Sequence, residues 1–391
     1  MAPSGKLRPP HTRVGNSIKK SIVIKAMIIE KGSLHIHLAF DVGFEIETKK
    51  LIELVGTRLA ARANEMRPLS VSINRELQPI RIAFDPVEFQ LQGEAVPFQV
   101  YVTFYELGAM SFEYVCPLHS DFEMLPQFAE QLENNDELVK STRGLSKEIF
   151  EIIKPAVKGA ELSIQPSVHY VFNIEKLSEP ISVEALLGTY GTTIAKTLKA
   201  SSEPIGNNEV RRTLQSVVTY SDQDLVFVTA KNAIVFDEDG LEAVDILELA
   251  NMQALELRLI DSKLDRTLVN LYETNLHKKI WFQRFVARFI DSETLNLKVL
   301  NTIHLDSLII ADRVEQSFKL ATDHYLARIH ELCVNALFLR TLSAGIDRKL
   351  STIRDISNDI QDREAAIRME TLEWIIIILI LIGTLPMFFK S

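Results

Sequence analysis

Leu372-Glu373-Trp374-Ile375-Ile376-Ile377-Ile378-Leu379-Ile380-Leu381-Ile382-Gly383-Thr384-Leu385-Pro386-Met387-Phe388-Phe389, followed by Lys390 and Ser391, is the stretch on which the sequence reading turns. No ionisable side chain occurs from Trp374 to Phe389, and the isoleucine run leaves no polar face. A helix lying on a globular surface needs such a face. The stretch therefore reads as a C-terminal transmembrane helix, 372–389, with Trp374, Ile375, Ile376, Ile377, Ile378, Leu379, Ile380, Leu381, Ile382, Phe388 and Phe389 as its anchor residues. Counting from Leu372 it has 18 residues, close to the about 20 that cross roughly 30 Å of hydrocarbon. Glu373, Trp374 and Lys390 fall at the two interfaces. The competing reading is a hydrophobic tail helix buried in a core or an oligomer.

Upstream of this stretch the chain is short of helix breakers. Thirteen of the fourteen prolines lie at or before Pro204, and Gly345 is the only glycine between Gly240 and Gly383. Three-four spacing of Leu247, Ala250, Ala254, Leu257, Leu264, Leu268 and Leu271 predicts a long amphipathic helix from Leu241 to about Ile290. A second pattern runs from Leu308 through Phe318, Tyr325, Leu332, Leu339, Ile346, Ile353, Ile360 and Ile367 toward the anchor. Residues 241–371 thus read as a long helical hairpin or coiled coil. Asn251, Gln253, Glu256, Arg258, Asp261 and Asp265 form a dense polar stretch within it, and the seven-residue separations of Asn251, Arg258 and Asp265 place those three on one stripe. A structural hydrogen-bonding network between helices is preferred to an active site. His277 to Phe289 carries Lys278, Lys279, Arg284 and Arg288 with no acidic residue, and Trp281, Phe285 and Phe289 recur every four residues. The aromatics seal a hairpin end, or the segment docks on an anionic partner such as lipid or ribosomal RNA.

Two places carry a family resemblance. One is Leu249-Ala250-Asn251-Met252-Gln253-Ala254-Leu255-Glu256-Leu257-Arg258-Leu259-Ile260-Asp261-Ser262-Lys263-Leu264-Asp265. The other is Asp323-His324-Tyr325-Leu326-Ala327-Arg328 together with the ending Leu372-Glu373-Trp374-Ile375-Ile376. Over about 224–389 the chain resembles the required-for-meiotic-nuclear-division family, a family of unknown domain function with mitochondrial, fungal and bacterial members. The resemblance implies a membrane-anchored, self-associating, non-enzymatic protein, with mitochondrial members linked to organelle translation at the inner membrane.

The first half mixes strands and helices. Residues 1–20 read as a basic flexible tail, 21–160 as an α+β domain and 161–240 as a second α+β unit. Ile22 to Ile29 and Leu34 to Leu38 are expected as a strand pair about Lys31-Gly32-Ser33, Glu47 to Met66 as a helix, and Phe98 to Tyr105 with Met110 to Cys116 as a hairpin about Gly108. Helices are expected over about 121–132, 136–157 and 183–198, with strands at 168–174, 214–220, 225–229 and 233–236. Overall the fold class is α+β, followed by the hairpin and one transmembrane helix.

Composition excludes several functions. At 391 residues, 47% hydrophobic and 24% charged, the chain is ordered and globular. A net charge of −9 argues against bulk nucleic-acid binding. Cys116 and Cys333 stand too far apart in sequence to suggest a disulfide framework or a cysteine zinc site. Gly188-Thr189-Tyr190-Gly191-Thr192-Thr193 lacks the Gly-Lys-Ser/Thr ending of a phosphate loop, and no hydrolase, zincin or dinucleotide fingerprint occurs. His35 and His37 share one strand face and have metal-ligand character, but no third ligand is near in sequence, so an exposed strand face is expected. His324 and His330 diverge on a helix. No cofactor, metal or small-molecule substrate is assigned. The sequence reading is a non-enzymatic, self-associating scaffold or assembly factor in a bacterial cytoplasmic or mitochondrial inner membrane. Arg363 and Arg368 favour keeping its bulk on the cytoplasmic or matrix side. The expected partners are the bilayer, copies of itself and a protein or ribosomal partner. The alternative is an enzyme acting at the membrane surface through the α+β half, with His119 or His169 joined to carboxylates in a pocket.

Overall fold

The computed structural model describes residues 26–59, 63–66, 79–91, 93–219, 224–277 and 324–388. In chain order the elements are β1 (Ile29–Asp41), β2 (Glu45–Ile46), α1 (Thr48–Leu54), β3 (Ala63–Met66), β4 (Ile80–Leu91), β5 (Glu94–Tyr105), β6 (Ala109–Pro117), α2 (Leu125–Glu133), α3 (Asp136–Ile153), β7 (Val157–Lys158), β8 (Ser167–Leu177) and α4 (Val183–Leu198). Then come α5 (Asn207–Thr213), β9 (Val217–Val218), β10 (Leu225–Val228), β11 (Asn232–Phe236), α6 (Leu241–His277), α7 (His324–Ala336) and α8 (Leu339–Phe388).

A nine-stranded sheet in the order β3-β4-β5-β6-β1-β8-β11-β10-β9 organises the molecule. Its pairs are antiparallel except β11 with β8, which are parallel and joined by the crossover through α4 and α5. Strands of both expected α+β units enter this one sheet, so 21–160 and 161–240 share a layer. Gly108 makes the β5–β6 hairpin possible: its φ is +97°, and a Cβ there would stand 2.0 Å from the Gly43 carbonyl oxygen. Gly32 does not reverse the chain. It lies within β1, at a register shift against β8 and beneath the Asn173 carbonyl, so the strand pair expected about it is one long strand. The helix expected from Glu47 to Met66 ends early, in a wide π turn at Val55–Leu59 before β3.

Strand alternation divides the sheet chemically. Leu34, Ile36, Leu38 and Phe40 of β1 join Phe112, Tyr114, Val102, Phe104 and Phe172 in the larger core, which α2, α3 and α4 cover. The opposite face meets α6, α7 and α8 through Val171, Val226, Ala233 and Val235.

The helical half departs from the sequence reading. The first part of α6 is buried almost all round, from Ala243 through Leu257, because it packs on β1 and β8 beneath and on α7 and α8 beside it. Seven-residue spacing alone does not separate a helix embedded on all sides from a two-helix seam. Among the described residues no long coiled-coil hairpin is evident, and the mixed α/β sheet architecture replaces the expected α+β domains with hairpin and anchor. The upstream pattern breaks at Leu337-Phe338, where Phe338 has φ +58°, and α8 then runs unbroken through Gly345.

The membrane span also needs correction. Among the described residues no helix is long and apolar enough to cross a membrane. The reason is length. From Trp374 to the end of α8 at Phe388 there are fifteen residues, about 22 Å at 1.5 Å per residue against roughly 30 Å of hydrocarbon. Arg368, Glu370 and Glu373 occupy the preceding turns. The single-pass anchor, the placement in a bacterial cytoplasmic or mitochondrial inner membrane and the orientation of the bulk lose their support together. Trp374 through Ile382 are exposed on α8, Phe388 closes the helix, and Phe389 lies outside the described residues.

Candidate metal centre

The face of the sheet beneath α6 is polar along its middle. One row across four strands reads Tyr101, Glu113, His37 and His169, and the next reads Arg81, Thr103, Ser111, Ala39 and Ser167. Each is the alternate residue of a strand whose other face is core, so the same two-residue period that builds the apolar layer aims these groups together. His35, His37, Glu113 and His169 are all buried, His37 and His169 completely.

His35, His37 and Glu113 bring one ligand atom each to within 4.8 Å of one another. His35 Nδ1 lies 2.7 Å from Glu113 Oε1, and His37 Nε2 lies 3.5 Å from the same oxygen. A cation held at about 2.0–2.2 Å by nitrogen and oxygen ligands separates neighbouring ligand atoms by about 3.0–3.5 Å. The two gaps bracket that range. His35 Nε2 is 2.8 Å from Ser33 Oγ, the kind of outer contact that fixes ring orientation in metal sites. Without a cation, Nδ1–H donates to Glu113 and the serine hydroxyl donates to Nε2. A cation at Nδ1 replaces that proton and turns Ser33 into the acceptor.

Several buried polar groups of this layer lack a hydrogen-bond partner among the described residues, Thr103, Ser111 and Tyr105 among them, and of the three histidines His37 is the one with both nitrogens unpaired. Neither ring nitrogen has a hydrogen-bond partner among the described residues, although a buried polar group left unpaired costs about 1–3 kcal/mol. Burial holds the His37 imidazole below its ordinary range, opposed by the nearby Glu248 charge. Burial also takes His35 and His169 down to about 3. All three rings are therefore neutral at physiological pH, the form that binds a metal. His169 Nε2–H donates to the Thr229 carbonyl at 3.3 Å, and Nδ1 has no hydrogen-bond partner among the described residues.

Arg81 closes the other side. Its guanidinium pairs with Glu113 Oε2, reaches Asp245 Oδ1 of α6 at 3.1 Å, and lies 4.8 Å from the Tyr101 ring centroid. Glu248, one α-helical turn after Asp245, is buried, and among the described residues neither of its oxygens has a hydrogen bond of normal geometry. The Tyr105 hydroxyl lies nearby, its pKa pushed well up by burial and then by the Glu248 charge.

Of the polar residues singled out by sequence, Asn251 and Arg258 meet at Ser167: the Ser167 hydroxyl donates to Asn251 Oδ1 at 2.7 Å, Asn251 Nδ2 donates to the Ser167 carbonyl, and Arg258 Nη1 donates to Ser167 Oγ. Gln253 contacts His330 of α7, while Asp261 and Asp265 both pair with Lys349 of α8. Glu256 lies in another buried patch, beside Asp41. Lys278, Lys279, Trp281, Arg284, Phe285, Arg288 and Phe289 lie outside the described residues. The expectation of an exposed face for His35 and His37 is overturned by the coverage of α6. The third ligand, Glu113, is 76 positions beyond His37, and only the β1–β6 register brings them together. The surface grooves lined by Gln90, Gln127, Gln131 and Asn134 do not include this cluster.

The chain belongs to the family described as "Uncharacterized protein MJ0711, N-terminal domain", which matches residues 31–242. It is 24% identical over 217 residues to the uncharacterized protein MJ0711 of Methanocaldococcus jannaschii, covering 54% of this chain and 63% of that relative's length. No solved structure matches. The family match covers the sheet and all three candidate ligands, whereas the resemblance noted in the sequence lies mainly in the helices beyond it.

Proposed function

We propose that this member of the MJ0711 N-terminal-domain family is a divalent-cation-binding protein, with His35, His37 and Glu113 as ligands of one buried centre. The observation that carries the reading is His37, a completely buried imidazole with no hydrogen-bond partner among the described residues, set 3.5 Å from a carboxylate oxygen. Two imidazoles and one carboxylate suit a borderline first-row cation, Zn²⁺, Fe²⁺ or Mn²⁺, better than Ca²⁺ or Mg²⁺. Arg81 orients Glu113 by taking its second oxygen, so Oε1 remains for the ion.

The full chain, stripped with a chelator, is expected to take up one equivalent of Co²⁺ with visible ligand-field bands of a nitrogen- and oxygen-ligated site. Zn²⁺ should displace it. His37→Gln and Glu113→Gln should each weaken uptake at least about tenfold, as loss of a metal-orienting or ligating group does, while exposed His119→Ala should not. Folded wild-type protein that takes up no equivalent of Co²⁺, Zn²⁺, Fe²⁺ or Mn²⁺ refutes the reading.

Self-association is a second reading, favoured by α8. Every residue from Trp374 to Ile382 is about half exposed, and an uncharged helix end on this scale marks an interaction surface. A second copy presents the same uncharged surface. Crosslinking of the full chain should give a dimer or higher species that Ile376→Lys with Leu379→Lys abolishes. A monomer at micromolar concentration refutes this reading.

A further inference from the structure

The ligand row does not end at His37. The register of β1 on β8 sets His169 directly opposite His37, on the same face of the sheet. Side chains paired in this way across an antiparallel ladder have Cβ atoms about 4.5–5.5 Å apart. Both rings are completely buried. The Thr229 carbonyl can only accept, so His169 Nε2 carries the ring proton and Nδ1 keeps its lone pair. That lone pair is directed away from Thr229 and has no hydrogen-bond partner among the described residues. A ring N–H on a backbone carbonyl, with the other nitrogen bare, is the arrangement that metal-ligating histidines use.

The surroundings need such a group. His35 at 3%, Glu113 at 1% and His37 at 0% exposure lie in a layer closed to solvent, and structural zinc sites are completed by a fourth protein ligand where catalytic ones keep an open position. Glu248 of α6 is the other buried side chain in question, but its carboxylate has the Tyr105 hydroxyl beside it. His169 belongs to the row itself. Its Nδ1 is not among the atoms that lie within 4.8 Å of one another, so the ring turns toward His37 to bind. Its one hydrogen bond among the described residues, at 3.3 Å, is longer than the usual range of about 2.7–3.2 Å and yields readily.

We infer that His169 is the fourth ligand, through Nδ1, and that three imidazoles and one carboxylate form a closed shell that selects Zn²⁺ over Mn²⁺ and serves the structure. It rests on the metal-binding reading above and goes beyond it by assigning a further ligand, the preferred ion and a site without an open position for substrate. A third imidazole favours the borderline cation, whereas Mn²⁺ prefers oxygen and is the weaker binder of the two at a nitrogen-rich site.

Cadmium NMR tests the assignment, on the full chain stripped with a chelator, labelled with nitrogen isotope in its histidines and loaded with one equivalent of Cd²⁺. Scalar coupling reports each ring nitrogen bonded to the metal. Three imidazole nitrogens should couple, and His169→Gln should leave two. In that variant Zn²⁺ affinity should fall at least about tenfold, and the preference for Zn²⁺ over Mn²⁺ in competition should narrow by about tenfold as well. If His169→Gln does not accumulate, the number of coupled nitrogens in the wild type decides. Stoichiometric uptake with two coupled nitrogens overturns the fourth ligand and leaves the metal site standing, whether water or Glu248 then completes the shell. Three coupled nitrogens retained in His169→Gln overturn it in the same way. Absence of any metal uptake overturns both.

Discussion

Replacing His37 by leucine should raise the stability of the stripped protein and abolish its stabilisation by Zn²⁺. In the stripped chain the imidazole stands completely buried with both nitrogens unpartnered among the described residues. Leaving buried polar groups unpaired costs about 1–3 kcal/mol, and leucine fills a similar volume without polar atoms, so a gain of about 2 kcal/mol follows. At about 2.1 cal/mol/K of unfolding entropy per residue, the 391 residues give about 0.8 kcal/mol/K, so Tm rises by about 2–3 °C. Zn²⁺ at a hundred times its Kd contributes about 2.7 kcal/mol, or about 3 °C, to the wild type. The leucine variant, with one ligand gone, should gain less than about 1 °C. The lead of the leucine variant, about 2–3 °C when stripped, should thus shrink to within about 1 °C on addition of metal. Thermal unfolding of the stripped full chains, followed by tryptophan fluorescence with and without Zn²⁺, reads all four values. A stripped His37→Leu protein several degrees less stable than wild type shows that the ring makes favourable contacts, and retention of the full Zn²⁺ increment shows that it is no ligand. Either result refutes the reasoning.

Three further outcomes follow from contacts elsewhere in the fold. Burial raises the Asp41 carboxyl to about 6 from 3.8, beside a Glu256 carboxyl also pushed up, first by burial and then by the Asp41 charge. The folded chain holds Asp41's proton more tightly, so this stabilisation is full below about pH 3.8 and is lost as pH rises to about 6, by about 3 kcal/mol at most. Asp41→Asn should flatten that part of the stability–pH curve in urea titrations. Gly108→Ala places a methyl on a φ of +97° and 2.0 Å from a carbonyl oxygen, and should cost more than about 2 kcal/mol in urea unfolding. Asn251→Ala removes two hydrogen bonds to Ser167 and should cost about 2 kcal/mol. A double-mutant cycle with Ser167→Ala should show coupling above about 0.5 kcal/mol.

Local elements were legible where the pattern is local. The Phe98 to Cys116 hairpin, the helix at 183–198 and the start of α6 at Leu241 follow from alternation, turn glycine and acidic residues before a helix, and the structure has them there. The β1 face was misread because alternation in Leu34-His35-Ile36-His37-Leu38 states only that the histidines lie opposite the core. It does not say whether that second face meets water or another layer. The same alternation in Tyr101-Val102-Thr103-Phe104 and Ser111-Phe112-Glu113-Tyr114 was the available signal: three strands with polar residues at one parity, in a chain whose helix pattern from Leu241 was given a helical partner and no sheet to cover. The helical half was misread for the complementary reason. Apolar spacing reports how much of a helix is buried and not which element buries it.

The ligands and the helix that covers them differ in where the family match places them. His35, His37, Arg81 and Glu113 fall within 31–242, while Asp245 and Glu248 lie just beyond its end. The matched domain by itself presents a sheet with one face sealed by α2, α3 and α4 and the other polar along its middle. A polar face with histidines at 0% exposure exists only because something covers it, and here the cover is α6, continuous with the chain that leads away from the sheet. An antiparallel sheet can leave such a face in water at little cost. Once α6 settles on it, each polar group there must find a partner, and among the described residues the side chains of His37, Glu248, Thr103, Ser111 and Tyr105 find none in normal geometry. The cost of that cover falls on the polar rows of the sheet, where an ion at His35, His37 and Glu113 would satisfy His37 as a ligand.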